Sequence, residues 1–96
     1  MSTFIYRNQL ADNVQMEDIT PEQRATFQAH LAYLTQAARD GLVIFNGTCT
    51  NFAFGVVVFE AKSIETAQLF MENDPAIAAG LMMGELHPFQ VTFPSS

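Results

Sequence analysis

Apolar positions recur along this chain in two spacings, every second residue and every third or fourth, and the spacings alternate. Phe4 and Tyr6 lie two apart with Ile5 between them, which predicts a first strand over Thr3 to Arg7. Residues 8–18 are polar and broken and predict a loop. Thr20-Pro21-Glu22-Gln23 then opens a helix. Threonine can cap, proline suits the first turn, and glutamine three residues on completes a capping box. Phe27, Leu31, Leu34 and Ala38 form the expected apolar stripe. His30 falls on its shoulder and Tyr33 one turn further along the same side. Gly41 supplies the stop after about Asp40.

The spacing of two returns over Leu42 to Thr48, with Gly47 as a candidate bulge, and over Phe52 to Ala61, with a turn at Cys49 to Asn51. The third strand is apolar on both faces: Phe52, Phe54, Val56 and Val58 on one, Ala53, Gly55, Val57 and Phe59 on the other. A strand covered on one side alone would alternate with polar residues, so both faces are expected to be covered. Ser63 caps a second helix that runs to Glu72 and presents Ile64, Ala67, Phe70 and Met71. Position 74 continues that face and is an aspartate. Pro75 follows it, so Asp74 is expected to cap a short helix ending at Gly80, with one carboxylate oxygen left free. A last strand is expected over Glu85 to Phe93, with Pro88 confining it to an edge, before a Pro94–Ser96 tail.

The order β-α-β-β-α-β, with each crossover right-handed, predicts a ferredoxin-like α+β sandwich whose antiparallel sheet runs 4-1-3-2. The 96 residues suffice for a single domain, 1–96. Both helices would cover one sheet face. The open face would expose apolar side chains of the third strand, which predicts a homodimer packed sheet to sheet.

Charge narrows the partners. The net charge is -6, and only Arg7, Arg24, Arg39 and Lys62 are basic. That argues against nucleic acid, which needs clustered cations, and against an anionic membrane surface. No run approaches the roughly 20 apolar residues of a membrane span, and the N-terminus lacks a basic, apolar leader. With the lone Cys49 unable to form an intrachain disulfide, a cytoplasmic, reducing setting is expected. No GxGxxG, P-loop, HExxH or GxSxG motif occurs, so no cofactor is expected, and His30 and His87 lack further ligands for a metal.

The stretches Ala29-His30-Leu31-Ala32-Tyr33-Leu34, Val57-Val58-Phe59-Glu60-Ala61, Asp74-Pro75-Ala76-Ile77-Ala78-Ala79-Gly80 and Pro88-Phe89 carry a resemblance. From about Arg24 onward the chain resembles the YCII-related (YciI-like) proteins of the dimeric α+β barrel superfamily. The approach to the first helix departs from that family's usual Arg-Pro-containing entry. The resemblance implies a dimer closing into a barrel and a catalytic His-Asp pair at His30 and Asp74. It also implies a small-molecule ligand, since one branch looks like dehydrochlorinases of chlorinated hydroxyquinols, and the superfamily includes muconolactone isomerases and monooxygenases. A histidine oriented by an aspartate suits general acid–base chemistry, as in isomerisation or elimination on a small cyclic or aromatic substrate. A non-enzymatic ligand-binding dimer is the alternative, as is a structural dimer whose interior is filled by its nine phenylalanines.

Overall fold

A computed structural model describes residues 1–93, so the expected Pro94–Ser96 tail lies outside the described residues. Four strands, β1 (Ser2–Leu10), β2 (Val43–Thr48), β3 (Gly55–Ala61) and β4 (Met82–Pro88), form one antiparallel sheet in the order β2-β3-β1-β4. This is the expected 4-1-3-2 read from the other edge. Helices α1 (Pro21–Arg39), α2 (Ile64–Glu72) and α3 (Pro75–Ala78) lie against one face, giving the ferredoxin-like sandwich.

Local chemistry sets the helix ends. Gln23 N–H donates to Thr20 Oγ1 at 3.0 Å, and Thr20 N–H donates back to Gln23 Oε1 at 2.9 Å, so the capping box forms. At the other end Gly41 has φ 78°, Gly41 N–H donates to Ala38 O at 3.0 Å and Leu42 N–H to Ala37 O at 2.9 Å. That paired bonding needs a left-handed residue, which glycine supplies without crowding a Cβ. α3 ends in the same way at Gly80.

Three strands are displaced from their expected bounds. β1 continues to Leu10, and Leu10 pairs with Met82, so β4 begins three residues early. At its other end β4 pairs Pro88 with Phe4, and Phe89 N–H donates to Thr3 O at 3.0 Å. Beyond that β1 has almost run out, so Phe89, Val91 and Phe93 keep their alternation without a strand to pair with and stand exposed. β3 begins at Gly55, not Phe52, because residues 49–54 make the hairpin loop. The irregularity in β2 falls between Val43 and Phe45, while Gly47 pairs regularly with Val56.

α1 is also rolled relative to expectation. Its buried residues are His30, Leu34 and Ala37, whereas Leu31 is 59% exposed and Ala38 lies outside. His30 therefore stands within the buried stripe. Hydrophobicity alone selects Leu31 there, but a partner for the imidazole and a seat for Tyr33 draw the helix round by roughly 60°, less than one residue's 100°, so Leu34 stays in the stripe. Tyr33 stacks on Phe70 with ring centroids 5.2 Å apart and donates to Phe70 O at 2.7 Å.

The open sheet face is mixed. Arg7 lies over the Phe54 ring at 4.6 Å, and His87 meets Glu85 at 3.1 Å. Val58, expected to be exposed there, is only 6% exposed, because Ile5 and Phe45 flank it in the neighbouring strands. Phe45 and Met83 remain exposed. No helix among the described residues is long and apolar enough to cross a membrane.

Candidate active site

Side chains of β1 and β3 that point at the helices shrink along the sheet. Phe4 pairs with Phe59, Tyr6 with Val57, and Asn8 with Gly55. All six are buried. At the wide end Phe4, Phe59 and Phe70 fill the layer, with Tyr6 edge-on to Phe59 at 5.8 Å and Phe59 against Phe70 at 4.7 Å. At the narrow end a Cβ on Gly55 would stand 2.7 Å from Asn8 Oδ1, so only glycine leaves the asparagine its place. There the layer is not filled. A cavity of about 240 Å³ opens, walled by Phe27, Leu31, Phe52, Phe54, Leu10 and Met82. Its polar groups are Asn8, Gln9, Thr48 and His30. The phenylalanines therefore do not fill the interior.

His30 and Asp74 meet at the boundary between the filled and hollow ends. They lie 44 residues apart in sequence and bond directly, His30 Nδ1 reaching Asp74 Oδ1 at 2.7 Å and Oδ2 at 2.8 Å. Asp74 is wholly buried and His30 nearly so. Asp74 caps α3 by accepting from Ala76 N–H at 3.0 Å on Oδ1. Oδ2 accepts from the Tyr6 hydroxyl at 2.7 Å. The cap occupies Oδ1 alone, as expected, and the oxygen it leaves accepts from Tyr6, the donor that β1 brings. A buried carboxylate needs that many partners to offset its lost hydration.

The bonding assigns the histidine proton. An ionised carboxylate only accepts, so Nδ1 is the donor, and the neutral ring carries its free lone pair on Nε2. Nε2 has no hydrogen-bond partner among the described residues, whereas every fully buried side-chain nitrogen or oxygen has one. Nε2 is therefore not sealed off, and His30 lines the cavity. The ring is held from behind by an acid and presents a basic nitrogen in front.

Tyr6 was hidden from the pattern of the sequence as anything but a strand residue. The available signal was its inward position on β1, since a buried phenol requires an acceptor. Burial above all raises its pKa from the ordinary 10.0, and the Asp74 charge and hydrogen bond raise it further. It stays a donor throughout any ordinary pH range. Tyr33 is raised too, by burial first and then by the Asp74 charge, yet it serves as a strut against Phe70 rather than reaching the cavity. His87 pairs with Ile5 on the open face, so it cannot converge with His30. No group of three or more His, Cys, Asp or Glu residues is placed to hold a metal among the described residues.

Comparison with known proteins places the fold. No curated protein matches the sequence. Among solved structures, the chain is similar to a 5-chloro-2-hydroxyhydroquinone dehydrochlorinase from Burkholderia phenoliruptrix AC1100, in complex with 2,5-dihydroxybenzoquinone. The identity is 19% over 92% of this chain and 93% of that one, with a TM-score of 0.71. It is also similar to a muconolactone isomerase, 15% identical over 97% of this chain and 93% of that one, with a TM-score of 0.74. At such identities the likeness establishes the fold. The sequence itself matches the YCII-related domain over residues 1–89, and the chain belongs to that family.

Proposed function

We propose that this protein is a small-molecule enzyme in which His30 transfers a proton on a small cyclic or aromatic substrate. One observation carries the reading: the imidazole is anchored at Nδ1 by a wholly buried aspartate and opens its other nitrogen to an apolar cavity. Nε2 takes a proton from the substrate. Asp74 stabilises the imidazolium that results and fixes its orientation. Tyr6 is a positioning residue that holds the carboxylate in register. The apolar wall offers few competing dipoles beside these charges, which strengthens their interaction.

Two outcomes follow from one such base. In an elimination, the electron pair left by the departing proton expels a halide from the ring, so the elements of a hydrogen halide are lost. In an isomerisation, His30 returns the proton at a second carbon. The two structural relatives are named for these two outcomes, a dehydrochlorinase and an isomerase.

The protein also works as a homodimer packed through its open sheet face. Exposed Phe45 and Met83 beside half-buried Ile5 and Val56 support this, because such apolar area favours association. Val56→Asp should leave a folded monomer by light scattering, and a dimer of unchanged mass would place the interface elsewhere.

The test of the chemistry is turnover of chlorinated hydroxyhydroquinones, followed by halide release, and of small lactones, followed by isomer formation. Wild type should act on one class. His30→Gln and Asp74→Asn should each lose roughly a thousandfold while keeping native circular dichroism. Full activity in His30→Gln would remove the histidine from the mechanism.

A further inference from the structure

The turn between β2 and β3 ends on a residue whose backbone its side chain does not favour. Phe52 N–H donates to Cys49 O at 2.8 Å, and Cys49 N–H closes the hairpin onto Phe54 O at 2.8 Å. Ala53 N–H donates to Asn51 Oδ1 at 3.0 Å, pinning the turn further. Phe52 has φ 62°, and no other non-glycine residue among those described has positive φ. In hairpin loops this left-handed seat usually belongs to glycine or asparagine, because a Cβ crowds the following carbonyl. Burial does not account for a phenylalanine there, since Phe52 is 68% exposed. It does border the cavity that His30 borders. Strain retained without burial points to a use at the site.

The cavity wall adds a second constraint. Although the chain has ten acidic and four basic residues, no Asp, Glu, Lys or Arg among the described residues lines it. A carboxylate or phosphate entering there would lose water without gaining a cation. Asn8, Gln9, Thr48 and His30 can instead meet neutral hydroxyls. At about 240 Å³ the space suits one substituted ring, since a dry cavity of about 150 Å³ accepts benzene.

We infer that Phe52 is a specificity-determining residue, whose ring stacks on a single uncharged, hydroxyl-bearing ring and retains it before His30. This deepens the proposed function and rests on that reading of the cavity. The left-handed backbone aims an aromatic face that the hairpin itself does not require. Aromatic stacking supplies affinity beyond area alone and does not depend on ligand charge.

The probes are resorcinol and 3,5-dihydroxybenzoate, the same ring with and without a carboxylate, titrated by NMR into wild type, Phe52→Leu and Phe52→Gly. Wild type should prefer resorcinol. Both variants should bind it about tenfold more weakly, as expected for loss of a stacked face with its buried area. Phe52→Gly should melt at a higher temperature than Phe52→Leu, because it alone relieves the left-handed backbone. Equal resorcinol affinity in wild type and Phe52→Leu would overturn the assignment. So would tighter binding of the carboxylated ring, or binding of neither. His30→Gln and the double variant His30→Gln with Phe52→Leu are titrated alongside: the first should bind resorcinol more weakly than wild type for want of the His30 contact, yet the second should lose about a further tenfold, since stacking needs no proton transfer. Loss of turnover chemistry and loss of the Phe52 assignment are thereby read separately.

Discussion

At one end of the layer between helices and sheet, Phe4, Phe59 and Phe70 fill the space; at the other, Phe27, Phe52 and Phe54 stand around a hollow. The residue type is the same and the outcome opposite. The difference comes from what lies beneath. Under the filled end the two central strands offer Phe4 opposite Phe59, and under the hollow end Asn8 opposite Gly55. Aromatic rings close a layer only where their neighbours are large enough to meet them, because a gap forfeits dispersion contacts along its whole lining. His30 and Asp74 sit at the join. The packed side gives them rigidity and the hollow side gives them access.

The sharpest break of this comparison is to hollow out the filled end. Phe59→Ala should cost about 3–5 kcal/mol in urea unfolding, since the ring is buried among three other aromatics. Next comes the join. Tyr6→Phe removes a donor from a buried carboxylate and should cost about 1.5–3 kcal/mol, the range for hydrogen bonds to charged groups. It also carries a pH signature. The folded protein holds the Tyr6 phenol protonated above its ordinary 10.0, while the unfolded chain releases that proton near it. The bound proton favours the fold below that value, and the contribution is lost as pH rises beyond it. Wild type should therefore lose stability more steeply than Tyr6→Phe in alkaline melts. Equal slopes would deny Tyr6 its buried partner.

Smaller effects belong to the hollow end. Gly55→Ala forces a methyl against Asn8 and the Gly47 carbonyl, and should cost about 1–2 kcal/mol while narrowing the cavity. Phe27→Ala should cost only about 1 kcal/mol, because the half-buried ring already lacks neighbours on its cavity side. If Phe27→Ala proved as damaging as Phe59→Ala, the two ends would not differ as described.

These contrasts bear on what a sequence discloses. The caps at Thr20, Ser63 and Asp74 and the stop at Gly41 were legible, because they depend on residues a few positions apart. The order of strands followed from connection length and handedness. The pairing of His30 with Asp74 rested on family resemblance, since nothing local joins residues so far apart. Tyr6 stayed hidden because its partner is set by tertiary packing alone. The stripe of α1 was misread because a histidine counts as polar until its carboxylate is found. The alternation of Phe52 and Phe54 mimicked a strand where the backbone turns through φ 62°, and that of Phe89, Val91 and Phe93 mimicked one where no neighbouring strand remains.

Asp74 begins a helix and anchors a ring with the same carboxylate. Starting the helix and aligning the ring are therefore coupled in this protein, because both depend on the same carboxylate. α3 is only four residues long, so its fraying is a small excursion by the standard of global unfolding. Such an excursion would release the imidazole, and on warming the proposed proton transfer would fade before the fold does.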